Sequence, residues 1–249
     1  MKKVFLYSFI TLISISMFSF CFAEVSLKRK ISSKQKIEFA TRDGFILVGD
    51  LYLAQHKSNK PLVVCVHSFS MNASSWQKLA ENLRLKDYNV LAMDLRGHGR
   101  SVYNDKLRIR SRYQFTKDDW KNLPKDYVQS IQYIKSNYAD INTNDTILIG
   151  ADLGSIAGMI GSLNLNKTPI KAVLISPVLS FKGLNMPVKS LKFYNTKMMN
   201  ITTKTDRVYL NFYLATPPVI KQYPLGGPGT QLIKVNPVAI GDIVNFVIN

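Results

Sequence analysis

The sequence predicts an α/β fold, a mostly parallel central sheet with helices on both faces, on three observations. Short apolar runs of the kind buried on both sides of a sheet recur at Leu62–His67, Val90–Asp94, Thr146–Gly150 and Ala172–Ser176, separated by helix-length segments. One run, Thr146–Ile149, feeds into Gly150-Ala151-Asp152-Leu153-Gly154, followed by a stretch of small residues (Ser155, Ala157, Gly158, Gly161). That is a strand, a tight turn and a helix, with glycines that let two backbones crowd around one exposed side chain. The 249 residues are 46% hydrophobic and 11% aromatic, and no repeat, linker or low-complexity tract divides residues 30–249. One large domain with a sizeable core follows.

Taken in order, residues 1–23 read as a secretory signal peptide, 24–35 as an N-terminal extension and 36–249 as the domain. Lys2 and Lys3 precede an uncharged run from Val4 to Phe22, and Cys21-Phe22-Ala23 sets up cleavage before Glu24. The other reading is an uncleaved tether, since the run approaches the ~20 residues that span a bilayer. Cleavage leaves Cys65 as the one cysteine, inside an apolar strand, which excludes an intramolecular disulfide. Lys36–Ala40 and Phe45–Ala54 flank Arg42-Asp43-Gly44 as an antiparallel hairpin. Ser75–Leu85 places Trp76, Leu79, Ala80 and Leu83 on one helical face, and Tyr127–Tyr138 does the same with Val128, Ile131 and Ile134. Lys197–Thr202 and Val219–Tyr223 read as late strands, and Ile240–Ile248 as the closing helix.

The formal net charge is +17, and loss of Lys2 and Lys3 leaves 17 − 2 = +15. Residues 153–249 hold ten Lys/Arg against Asp206 and Asp242 alone, and Lys106-Leu-Arg108-Ile-Arg110-Ser-Arg112 is a second basic tract. Such a field draws anionic lipid or polysaccharide to the surface. An exported chain without a binding motif argues against nucleic acid. No cluster of His, Cys or carboxylates has ligand spacing, and the glycines at 226, 227 and 229 do not make a phosphate loop, so neither metal nor cofactor is expected.

Several motifs, in order, resemble the α/β-hydrolase superfamily, in its small uncapped members near the dienelactone-hydrolase and serine-aminopeptidase groups. Pro61–His67-Ser68-Phe69-Ser70, then Trp76, resembles the strand and H-G-x-x loop, with Ser68 in place of the usual glycine. Val90–Asp94-Leu-Arg96-Gly97-His98-Gly99-Arg100-Ser101 matches the D-x-R-G-H-G-x-S turn. Ile149–Gly154 aligns with an elbow of the form I-G-A-S-x-G, and Leu174-Ile-Ser-Pro177 with the strand after it. The resemblance implies an α/β-hydrolase fold without a large cap domain. It also implies oxyanion-hole N–H groups at Phe69 and Leu153, a nucleophile position at Asp152 and an acid position at Asp206. The histidine's place, in Tyr223-Pro-Leu-Gly-Gly-Pro228-Gly, is held by Pro228.

The residues thus announce a hydrolase fold and withhold its machinery. Asp152 stands where serine is expected. His56, His67 and His98 all precede the elbow, whereas the chain order of this architecture puts the histidine last. His98 lies in a turn whose role is structural, His67 ends a buried strand, and His56 sits in a polar loop. Dehalogenases and epoxide hydrolases of the superfamily do use an elbow aspartate. They differ here in needing a histidine, a helical cap and an aromatic residue where Leu153 stands. The expectation is therefore an exported protein of the bacterial envelope, catalytically silent. It would bind a small-molecule ligand or a partner at a pocket bounded by Phe69, Asp152, Leu153, Asp206 and Gly226–Gly229. The alternative is an ester, thioester or amide hydrolase with an atypical constellation centred on Asp152. A third is a structural surface protein that uses its basic faces.

Overall fold

The computed structural model describes residues 33–204, 210, 212–227 and 229–249. The signal peptide, most of the N-terminal extension, Asp206 and Pro228 lie outside the described residues. Ser33–Asn249 forms one compact unit, and its first strand opens at Lys34, two residues ahead of the expected boundary.

Eight strands run in the order β1 (Lys34–Ala40), β2 (Phe45–Tyr52), β4 (Val90–Met93), β3 (Pro61–Val66), β6 (Asn142–Ala151), β7 (Lys171–Ile175), β10 (Lys197–Thr203), β11 (Val219–Tyr223), and the short β5 (Tyr103–Asn104) pairs with β2. β1 and β2 are antiparallel, as is the β2–β4 pair, and every pairing from β4 onward is parallel. The parallel strands are apolar almost throughout because helices cover them on both sides.

Two apolar layers flank the sheet. On one, α1 (Gln77–Arg84), α5 (Thr230–Val235) and α6 (Pro237–Ile248) bury Trp76, Leu79, Leu83, Ile233, Ile240 and Ile243 against Val63, Cys65, Ile147 and Ile149. On the other, α3 (Leu123–Asn137) and α4 (Leu153–Asn164) bury Tyr127, Ile131, Ile134, Leu153, Ile156 and Met159 against Val64, Leu91, Leu148 and Leu174. Alternate residues of one strand thus serve opposite layers, as the two-residue period of a strand requires. Before α3 lies the short α2 (Lys117–Lys121), closed by a Thr116/Asp119 capping box.

Between β7 and β10, where a cap would be inserted, the chain makes only the hairpin β8 (Ser180–Phe181)–β9 (Leu184–Asn185) and a turn of 3-10 helix at Leu191–Phe193. Among the described residues there is no helical cap, and no helix is long and apolar enough to cross a membrane.

Candidate functional site

The elbow keeps the strained geometry that its glycines allow. Asp152 has φ 50° and ψ −117°, a region that a residue with a side chain enters only at a cost of ~1–3 kcal/mol. A Cβ on Gly150 would lie 2.7 Å from Ser155 Cα, and one on Gly154 would meet Val66 O and stand 2.6 Å from His67 O. The first glycine lets α4 leave β6 at once, and the second lets α4 press on the end of β3. The Asp152 peptide is held by its N–H donating to Ile175 O at 2.9 Å and by its carbonyl accepting from Ser155 N at 3.0 Å.

This turn aims the Asp152 carboxylate at the loop after β3. The Phe69 N–H donates to Asp152 Oδ2 at 3.2 Å. Burial raises the pKa of Asp152, while hydrogen bonds from the backbone N–H groups of Phe69 and Leu153 oppose that rise. Of the two N–H groups expected to serve an oxyanion, that of Phe69 is therefore turned on the elbow's own carboxylate.

None of the three histidines is hydrogen-bonded to Asp152. His67 is fully buried, with Nδ1 2.8 Å from Ser68 O and Nε2 accepting from Leu95 N at 2.9 Å. Those partners fix the Nδ1–H tautomer, and burial, then the neighbouring His98, bring its pKa down to about 3. His98 sets Nδ1 2.8 Å from Arg96 O and Nε2 2.9 Å from Phe69 O, so it buttresses the residue whose N–H faces Asp152. A neutral ring can donate to only one of these carbonyls, and burial keeps its pKa low. His56 is exposed and pairs with Asp87.

The D-x-R-G-H-G-x-S turn is a frame for this loop. Asp94 accepts from Ala73 N at 2.7 Å and from Arg100 Nε at 2.8 Å. Arg96, almost wholly buried, is shared between Asp126 and Asp43. Ser101 Oγ donates to Asp94 O at 2.8 Å and accepts from Val48 N at 2.8 Å.

Aromatic side chains fill the space beside Phe69. Phe181, on the β8–β9 hairpin, lies 5.3 Å from the Phe69 ring, Trp120 lies 5.9 Å from both, and Phe115 packs on Trp120 at 5.1 Å. The Arg112 guanidinium covers the Phe69 ring at 5.2 Å. From the other direction Gly229 closes in. A Cβ there would stand 2.5 Å from Ser68 Cβ and 3.4 Å from Asp152 Cβ, and Ser68 Oγ meets Thr230 Oγ1 at 3.2 Å. Arg112, Trp120 and Phe181 were not foreseeable at this place, because nothing local links residues so far apart along the chain.

Phe69 and Gly229 both approach Asp152: the Phe69 N–H reaches its Oδ2 at 3.2 Å, and a Cβ on Gly229 would stand 3.4 Å from its Cβ. A cavity of about 700 Å³ lies between α1 and the α5–α6 pair, lined by Met71, Lys78, Leu85, Ile233, Lys234 and Ile240 among others. Among the described residues no three His, Cys, Asp or Glu side chains group as metal ligands.

A mostly parallel sheet with a strained elbow after β6 facing the loop after β3 defines an α/β-hydrolase-type fold. Residues 63–228 match the model of the Alpha/beta hydrolase family, and the chain belongs to that family. No curated protein matches the sequence. Among solved structures, a thermostable carboxyl esterase from Bacillus coagulans is similar, with a TM-score of 0.65 at 11% identity over 86% of this chain and 98% of that one. An esterase from Pyrococcus furiosus gives 0.59 at 17% identity, covering 87% and 91%. An α/β hydrolase from a Penicillium species gives 0.60 at 14% identity, covering 86% and 97%. At such identities the likeness is one of fold.

Proposed function

We propose that this is an exported α/β-hydrolase-fold protein that has exchanged hydrolysis for binding at the bacterial envelope. One observation carries the reading: the Phe69 N–H hydrogen-bonds the Asp152 carboxylate at 3.2 Å. An oxyanion hole works by holding donors ready for charge that develops only in the transition state. Donors already engaged by a standing carboxylate have little left to offer, and that carboxylate repels a second anion. Pro228 at the expected histidine position, and three histidines engaged elsewhere, leave no general base for a water or a hydroxyl.

The strained backbone retained at Asp152 favours a second reading, a hydrolase of esters, thioesters or amides with Asp152 as nucleophile or base. Turnover of nitrophenyl esters, thioesters, amides and haloalkanes by the natural protein and by Asp152→Ala separates the two. The binding reading expects no turnover by either. Turnover by the natural protein that Asp152→Ala abolishes overturns it. A ligand that does bind should stabilise the fold by about 3 kcal/mol at a hundredfold excess over its Kd. Export itself is checked by N-terminal sequencing of the protein from cells, with Glu24 as the expected first residue.

A further inference from the structure

The basic tract noted in the sequence, Lys106–Arg112, forms a built projection. Tyr103 and Ile109 pair in an antiparallel bridge, Arg110 N donates to Val102 O at 2.7 Å, and Asn104 N donates to Arg108 O at 3.1 Å. The tip is pinned from inside, since Asn104 Oδ1 accepts from Lys106 N at 3.1 Å and from Arg108 N at 2.8 Å. The turn is tied to the strand hairpin by Asp105 N donating to Gly44 O, and at the base Arg110 is held by Asp119. What this hairpin displays is unusual for a surface. Leu107 is 79% exposed, Ile109 62% and the nearby Tyr113 77%, interleaved with exposed Lys106 and Arg108, which have no ion-pair partner among the described residues.

We infer that this hairpin docks the protein on an anionic phospholipid bilayer, with Leu107 and Ile109 entering the acyl boundary and Lys106 and Arg108 resting on headgroup phosphates. The alternation is what selects the occupant. Cations alone would suit any polyanion, and a polysaccharide or a phosphate chain in water offers nothing to two bare aliphatic side chains. Hydrocarbon beneath a layer of phosphate satisfies both at once. The rigid turn lowers the ordering cost of insertion, because the tip is already held in the shape it presents. The chain's overall charge of +17 reinforces the approach at long range. The acidic residues leave the tip net positive: Asp105, in the turn itself, turns its carboxylate toward Gly44 and offsets one of the two tip cations at most, and Asp119 is engaged by Arg110.

The test must read the hairpin itself, because Val4–Phe22 could bring the full chain to lipid independently. Leu107→Trp places a probe at the tip, against native Trp76 and Trp120 that are already buried. On vesicles of phosphatidylglycerol and phosphatidylcholine at low salt, its emission should shift to the blue and be quenched by brominated acyl chains. On pure phosphatidylcholine it should do neither. In sedimentation with the mixed vesicles, the Leu107→Ser, Ile109→Ser pair should lower partitioning by about tenfold or more. Lys106→Gln and Arg108→Gln should each lower it by roughly fivefold, and salt should weaken what remains. A tip tryptophan that stays in water while the protein is vesicle-bound overturns the proposal. So does retention on a sulfated polysaccharide that the Lys106 and Arg108 variants abolish while vesicle partitioning stays unchanged, since the surface is then a polysaccharide site.

Discussion

The Phe69 N–H and the Asp152 carboxylate meet at 3.2 Å across 83 residues of sequence. Each side of this contact is fixed independently. Asp152 is set by the strained turn between β6 and α4, and Phe69 by the His98 ring on its carbonyl and the Arg112 guanidinium over its face. The contact is therefore a product of the hydrolase framework itself. A carboxylate at this turn finds the Phe69 N–H as its hydrogen-bond partner.

Removing that carboxylate should free the donors without restoring a base. Asp152→Ser alone is expected to stay near background with nitrophenyl esters and to label weakly with a fluorophosphonate. Adding Pro228→His to Asp152→Ser should raise the rate by roughly 10²–10⁴-fold, the usual worth of a general base. Equal rates for the single and double variants would mean that residue 228 does not stand where the resemblance puts the histidine.

The buried carboxylate also bears on stability. Its pKa in the folded protein lies above the usual carboxylate value, chiefly through desolvation. Between the two values the folded chain holds a proton that the unfolded chain has lost, so stability falls as pH rises through that window. Above it the full penalty of an ionised, half-buried group remains. Asp152→Asn keeps an acceptor for the Phe69 N–H and removes the charge. It should raise the Tm at pH 7 and lose that advantage as the pH drops to the ordinary carboxylate range. A pH-independent difference in Tm would assign the effect to packing instead.

Two glycines test whether the site is built as tightly as it looks. Gly154→Ala drives a methyl into the carbonyls that end β3, where backbone on both sides leaves no cheap relief. It should cost about 3 kcal/mol or more, at the upper end for overpacking. Gly229 has φ 61° and ψ −132°, a conformation close to exclusive to glycine, and its added methyl would strike Ser68. Gly229→Ala should cost ~1–3 kcal/mol and also disturb Asp152. Urea unfolding of both variants gives the numbers. A Gly154→Ala loss below that of an exposed alanine change would show that α4 sits farther from β3.

Much of the fold was legible because two periods write it. The parallel strands are continuous apolar runs, and Leu79, Ala80 and Leu83 repeat at helical spacing, so both kinds of element stand out and their edges fall within a few residues. β5, β8 and β9 were not legible, since strands of two residues exist only through the partners they find in three dimensions. At the site, Gly150-x-Asp152-x-Gly154 marked the elbow by steric necessity, and the loop at Phe69 followed by resemblance. The packing of Phe181, Trp120 and Arg112 around Phe69 could not be read, because it joins segments with no shared pattern. Nor did the sequence say that Phe69 and Gly229 would both approach Asp152, or that a cavity would open between α1 and α6. That depends on a few ångströms of loop placement, and Val219–Tyr223 leads into that loop with no periodicity to fix its course.

His67 offers a prediction at the hinge between fold and site. Its ring joins the loop after β3 to the turn after β4, donating through Nδ1 to Ser68 O and accepting Leu95 N–H at Nε2. Only the neutral ring can do both, and burial holds its pKa at about 3 in the folded protein against 6.5 ordinarily. Across that interval the unfolded chain binds a proton that the folded chain refuses. Stability from this group is whole above pH 6.5 and is lost as the pH falls toward 3, at up to about 1.4 kcal/mol per pH unit. His67→Gln keeps a donor and an acceptor but does not titrate, so it should be less stable than the natural protein at pH 7.5 and should lose less on acidification to pH 5. The comparison is made on urea midpoints of the two proteins at each pH, which removes the carboxylates they share. Parallel pH profiles for the pair would mean that the folded protein does not hold the His67 pKa below its ordinary value.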